Sequence, residues 1–410
     1  MTHRRFSSLT YLNITQFQSA LNDNLYKIML AFFAIDMLGL DHATTILAMA
    51  GAVFVAPFLL FSAWGGTLAD RYSKQRIIVI AKALELVFMV IGTICLGLGS
   101  VVGGYVTLFL MSSQSAIFSP CKYGIIREIV PLERLSRANS LVTGFTYMAV
   151  IIGTFLASSL TDLTHHRFGV AMLACIAFAL VGFFTALRIE KTPAAGSKHK
   201  AHPLFFYEIY RNLKDASANP LILTAILGSS FFLFLGAYTQ LNMIPYAISI
   251  GLSAVQGGYI FLITAFGIGL GTYVGARISG KSPELGLIPV AGIGLIVFMA
   301  LLANPFNSVA EALLWAGLLG LSGGAYLLPL DTFIQASSSS HVLGKNIAAV
   351  NFLGFVGVLL ASVLLWVVES SAGFLAIAGV SLVVIFAMTW ILWKRLSAFW
   401  GRCRRFLRRG

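Results

Sequence analysis

Twelve runs of about twenty residues along this chain are almost free of charge, and each is long enough to cross ~30 Å of hydrocarbon as a helix. They cover residues 8–38, 44–69, 76–98, 102–122, 138–160, 168–189, 220–249, 254–277, 284–303, 309–332, 342–367 and 372–393. Inside lipid a backbone N–H or C=O finds no water, so each run must satisfy its own backbone as a helix. Composition agrees: 58% of the residues are apolar and 10% are charged, where a soluble domain carries about 25% charged residues. A soluble enzyme with one large core is excluded, because single cores stop growing near ~250–300 residues. The expected class is all-α: a polytopic membrane protein of twelve transmembrane helices.

The distribution of lysine and arginine sets the expected orientation. With the N-terminus cytoplasmic, the outward loops are 39–43, 99–101, 161–167, 250–253, 304–308 and 368–371, and they hold one basic residue, Arg167. Lys27 and Lys82 lie within helices, and the rest of the 28 basic residues fall on the cytoplasmic side or at its boundary. Both termini are therefore expected inside. The net charge of +13 then reads as loop bias rather than as a nucleic-acid surface. The tail 394–410, with Lys394, Arg395, Arg402, Arg404, Arg405, Arg408 and Arg409 among aromatic residues, is expected on the anionic inner surface.

The longest polar stretch, 191–219, separates spans six and seven as a cytoplasmic linker. It divides the chain into an N-terminal six-helix bundle, 1–190, and a C-terminal one, 220–393, followed by the basic tail 394–410. Lys198-His199-Lys200-Ala201-His202 in the linker lacks any carboxylate or cysteine and reads as solvated rather than metal-binding.

The halves echo each other, the mark of parallel repeats. Gly65-Gly66-Thr67-Leu68-Ala69-Asp70-Arg71-Tyr72-Ser73-Lys74 after span two is matched by Gly271-Thr272-Tyr273-Val274-Gly275-Ala276-Arg277 after span eight. Pro120 through Ser136-Arg137-Ala138-Asn139 is matched by Pro329 through Gly344-Lys345-Asn346. The expected architecture is two pseudo-symmetric six-helix bundles.

An ionisable residue at mid-membrane costs about 3 kcal/mol on insertion scales, so each one marks a candidate site. Span one carries Gln16, Ser19, Asp23, Asn24 and Lys27, with Asp23 near its centre and Lys27 four residues on, where the two can pair. Span three carries Lys82 and Glu85 on one face, Lys122 closes span four, and Asp331 and Gln335 close span ten. Gln240, with Tyr238, Asn242 and Pro245, offers polar groups in span seven. Gly267, Gly271 and Gly275 at spacing four read as a close-packing stripe. No Gly-x-Ser-x-Gly elbow, HExxH or Walker loop occurs, and the four scattered cysteines have no metal spacing. No enzyme activity, cofactor or metal is expected.

The loop after span two resembles the signature of the major facilitator superfamily at Gly66, Asp70, Arg71 and Lys74, with Gln75 departing at the last position. The resemblance implies the major facilitator fold and a conformational latch at those residues that opens as the halves rock. Within that superfamily the chain resembles the bacterial lysophospholipid transporter family. The resemblance rests on Gln16-Phe17, Ser19-Ala20, Asp23-Asn24, Ala56-Pro57-Phe58, Ala69-Asp70, Ser119-Pro120-Cys121-Lys122-Tyr123-Gly124-Ile125 and Arg137-Ala138-Asn139. In the second half Gly323-Gly324, Pro329-Leu330 and Gly344-Lys345-Asn346 fit the same pattern.

That resemblance implies inward movement of lysophospholipids across the bacterial inner membrane by a monomer, with re-acylation by a separate acyltransferase. It implies polar contacts at Asp23, Asn24 and Lys122: a carboxylate for an amine, and Lys122 or Lys82 for a phosphate. Span seven carries no arginine where the family has one, and Lys27 adds a cation beside the aspartate. A second function class stays open, a proton-coupled transporter of a small solute or drug with Asp23 as the proton carrier.

Overall fold

A computed structural model describes residues 2–197, 204–251, 254–368 and 370–407. It contains fourteen α-helices and two short 3-10 turns among those residues. The helices are α1 (Thr2–Leu38), α2 (Ala43–Arg71), α3 (Lys74–Gly97), α4 (Val101–Ile129), α5 (Leu135–Leu163), α6 (Phe168–Ala171), α7 (Leu173–Arg188), α8 (Phe205–Ala216), α9 (Pro220–Ser249), α10 (Ala254–Ser279), α11 (Leu287–Leu302), α12 (Val309–Ser337), α13 (Leu343–Val367) and α14 (Ser370–Leu407).

Among the described residues ten segments are long and apolar enough to cross a membrane, and the chain is a multi-pass membrane protein. Two of the twelve apolar runs fall outside that set. The run 284–303 forms α11, helical for 16 residues. The run 8–38 forms α1, whose middle is crowded with Gln16, Gln18, Asn22, Asp23, Asn24 and Lys27. That polar content is bought by burial, since Gln16, Ser19, Asn22 and Asp23 are all buried.

Local chemistry sets the helix ends. Gly39 takes φ +97° just past α1, a conformation that L side chains rarely adopt. Asn219 accepts from the Leu221 amide at the start of α9, with Pro220 at the first helical position. Ser308 and Glu311 form a reciprocal capping box on α12. The linker holds a helix not foreseen in the sequence: α8, where Arg211 donates to the buried Glu208 at 2.6 Å. The run after span twelve continues as one helix, α14, to Leu407. Lys198-His199-Lys200-Ala201-His202 and Arg408-Arg409-Gly410 lie outside the described residues.

The chain forms two compact units: residues 1–130, 148–213 and 339–352 make the first, and 131–147, 214–338 and 353–410 the second. In the first, α4 packs between α2 and α3, and α1 packs on α4 and α7. Its apolar core is built from Leu21, Leu25, Tyr26, Met29, Met89, Leu108 and Met111. In the second, α10 and α12 are the most closely joined pair, with α11 and α9 beside α12 and α14 against α11.

The stripe expected in span eight is present at Gly267 and Gly271, whereas a Cβ on Gly275 would first meet the Leu328 side chain, at 3.3 Å. A Cβ on Gly267 would stand 2.2 Å from the Gly317 carbonyl oxygen, and one on Gly271 would stand 2.0 Å from that of Leu321. From α12, Gly320 and Gly324 approach the backbone of α10 equally closely. Without a hydrophobic force between helices in lipid, such backbone-to-backbone van der Waals contact holds them together.

Candidate functional site

The first unit gathers most of the ionisable residues singled out in its spans. Lys82 and Glu85 of α3 are fully buried and paired at 2.5 Å. From α1, Ser19 donates to Glu85 Oε2 at 3.2 Å and Asn22 Nδ2 donates to Oε1 at 3.1 Å. Asn22 also donates to the Cys175 carbonyl of α7. Glu85 is therefore saturated by one cation and two neutral donors, and a buried charge is tolerated only with such partners.

Asp23 is held differently. Ser115 of α4 donates to it, with its Oγ 3.1 and 3.0 Å from the two carboxylate oxygens, and Gln114 Nε2 donates to the Ser115 oxygen at 2.9 Å. Lys82, Glu85 and Lys122 are near enough to act on Asp23 electrostatically. Asp23 and Lys27 do not pair, although four residues separate them. Lys27 instead donates to Asn24 Oδ1 at 3.4 Å and lies 4.9 Å from the Phe54 ring centroid. Turning toward α2 lets the ammonium trade a carboxylate for an aromatic face, a contact worth about 0.5–2 kcal/mol.

Lys122 stands 4.6 Å from the Tyr123 ring centroid and 6.0 Å from that of Phe118, and Lys82 stands 5.3 Å from the same Phe118 ring. Among the described residues neither Lys27 nor Lys122 has an ion-pair partner. Three lysines thus face two carboxylates, and only Lys82 is neutralised by contact. Such a group can take up an anion, with Asp23 available to a cation.

Gln240 lies elsewhere, exposed on α9 in the second unit. Nearby Tyr238 is buried and donates to the Val368 carbonyl at 2.7 Å. Sequence reasoning missed Asn22, Gln114 and Ser115. The signal for the last two was the polar run Ser112-Ser113-Gln114-Ser115, which breaks an otherwise apolar span.

The loop signature is built onto the start of α13. Asp70, fully buried, accepts from the amides of Gly344 at 2.7 Å and Lys345 at 3.0 Å. Both amides lie in the first turn of α13, where a helix supplies its own donors with no acceptor and a carboxylate is favoured. A Cβ on Gly66 would stand 2.6 Å from the Gly344 carbonyl oxygen and 2.6 Å from the Ala348 Cβ, so glycine is what admits α13 here. Lys74 pairs with Glu128 at 2.5 Å. Arg71 lies 5.4 Å from the Tyr72 ring centroid.

Long apolar helices with ionic groups buried among them define the class, a polytopic membrane protein. The chain belongs to the Major Facilitator Superfamily, whose family model matches residues 12–362. It is similar to curated proteins called lysophospholipid transporter LplT. The one from Yersinia enterocolitica is 28% identical over 347 residues, covering 83% of this chain and 81% of the relative. The one from Salmonella arizonae is 27% identical over 408 residues, covering 94% and 95%. Among solved structures, the human organic anion transporter MFSD10 superimposes with a TM-score of 0.75 at 13% identity, covering 94% of this chain and 99% of its own. The fold is the major facilitator fold.

Proposed function

We propose that this chain moves lysophospholipids inward across the bacterial inner membrane, by alternating access of two six-helix bundles or by lateral passage of lipid between them. The observation that carries the reading is the charge set of the first unit: Asp23 within electrostatic reach of Lys122 and Lys27, which have no ion-pair partner among the described residues, with the Lys82–Glu85 pair also in reach. A lysophospholipid head group offers a phosphate to the lysines and, in the ethanolamine case, an ammonium to Asp23. The names of the curated relatives support the same substrate class.

In this reading twelve helices cross the membrane, both termini are cytoplasmic, and the bundles are 1–190 and 220–393, joined by the linker 191–219 and followed by the tail 394–410. Asp23, Asn24, Lys27, Lys82, Glu85 and Lys122 are the head-group residues, with Gln240 a further contact. Gly66, Asp70, Arg71 and Lys74 form the latch, released when the amides of Gly344 and Lys345 withdraw. The transporter works as a monomer and hands its substrate to a separate acyltransferase.

The test is uptake of labelled lysophosphatidylethanolamine by spheroplasts expressing the chain, with and without a protonophore. Uptake that persists after collapse of the proton gradient is expected. Loss of uptake with the gradient would instead favour a proton-coupled transporter in which Asp23 carries the proton.

A further inference from the structure

The two halves of the sequence place opposite charges at equivalent positions. The repeat that matches Pro120 to Pro329 also matches Lys122 to Asp331, two residues beyond the proline in each case. Lys122 belongs to the charge set of the first unit. Asp331 has no role in it.

Within the second unit Asp331 sits in the membrane-spanning part of α12 and is partly exposed. Ser229 of α9, fully buried, donates to its Oδ1 at 2.8 Å. Tyr147 of α5 lies within electrostatic reach. The neighbouring turn is pinned by Tyr326, which donates to the Gly228 carbonyl at 3.3 Å. Among the described residues no lysine, arginine or histidine pairs with Asp331.

A carboxylate in a membrane span costs about 3 kcal/mol, and one hydrogen bond to a charged group returns about 1.5–3 kcal/mol. Over most of that range one serine does not offset the cost, and no cation among the described residues pairs with the carboxylate to do so. A carboxylate held by one neutral donor, with no cation paired to it among the described residues, is suited to an organic ammonium.

We propose that Asp331, with Ser229, is a second ammonium-binding site, separate from Asp23, that adds selection for amine-bearing head groups. It rests on the reading of the chain as a lysophospholipid transporter and adds to it the head-group class.

The test compares wild type with Asp331→Asn, Asp331→Glu and Ser229→Ala, each as the full chain in proteoliposomes. Uptake of lysophosphatidylethanolamine is measured against lysophosphatidylglycerol, which lacks the ammonium. For Asp331→Asn the ethanolamine-to-glycerol ratio should fall about tenfold or more, the loss of one charge-assisted bond. Asp331→Glu should keep the preference, and Ser229→Ala should weaken it. A ratio unchanged in Asp331→Asn, or an equal loss for both lipids, overturns the proposal. If wild type takes up neither lipid, the transport reading fails by itself, and binding of the two lipids by native mass spectrometry decides the site. Preferential binding of the ethanolamine lipid by wild type but not by Asp331→Asn supports it; no such difference overturns it.

Discussion

Asp23→Ala is expected to lower lysophospholipid uptake at least about 100-fold while the protein still accumulates in the membrane, an effect the size of two charge-assisted contacts. Two buried carboxylates of the first unit differ in their partners. Glu85 is bonded to Lys82, Ser19 and Asn22, so its removal would strand a buried lysine. Breaking such a pair costs about 3–5 kcal/mol of stability. Asp23 is bonded to one neutral serine and is 9% exposed. Among the described residues no lysine is paired with it by contact, so its removal breaks no ion pair. Loss of uptake with normal membrane levels and a monodisperse purified protein would place Asp23 at the substrate. Poor accumulation of the variant, or uptake as in wild type, would make it a structural residue.

Gly271→Leu is expected to be the most disruptive substitution in the second unit. Its Cβ would meet the Leu321 carbonyl oxygen at 2.0 Å, and that atom is backbone, so α10 and α12 must separate along the stripe. Overpacking alone costs about 1–3 kcal/mol, and the displaced Gly267, Gly320 and Gly324 contacts add to it. Gly269→Leu, two residues away, is the control, because nothing lies within 4 Å of a Cβ there. Thermal unfolding midpoints of the two variants in detergent check this. Gly271→Leu should fall well below wild type, with Gly269→Leu near it, and equal midpoints would contradict the packing account.

Much of the fold was legible because lipid leaves the backbone few choices. Apolar runs became helices, breaks fell at Gly39 and around Asn304, and the spacing of Gly267 and Gly271 announced the close contact with α12. Where the reading diverged, the causes were contacts invisible in one dimension. Lys27 follows Asp23 at pairing distance along a helix, yet Phe54 of α2 and Asn24 draw it away. The linker is polar in composition, yet Glu208 and Arg211 pair within a helical turn and help organise α8. The partners of Asp70 are backbone amides more than 270 residues away, and no side-chain pattern signals a helix N-terminus as a ligand. The charge reversal from Lys122 to Asp331 was present in the repeat itself and acquires meaning once Ser229 is seen beside the carboxylate.

Solvent access to the charge cluster separates a head-group site from a sealed ionic network. In a chain whose four native cysteines are replaced, Asn24→Cys is treated with a membrane-impermeant thiol reagent in right-side-out and inside-out vesicles. Labelling from at least one side and protection by lysophosphatidylethanolamine are expected, because the proposed head-group site includes Asn24, which accepts from Lys27. Labelling only after denaturation, or labelling that the lipid leaves untouched, would contradict it.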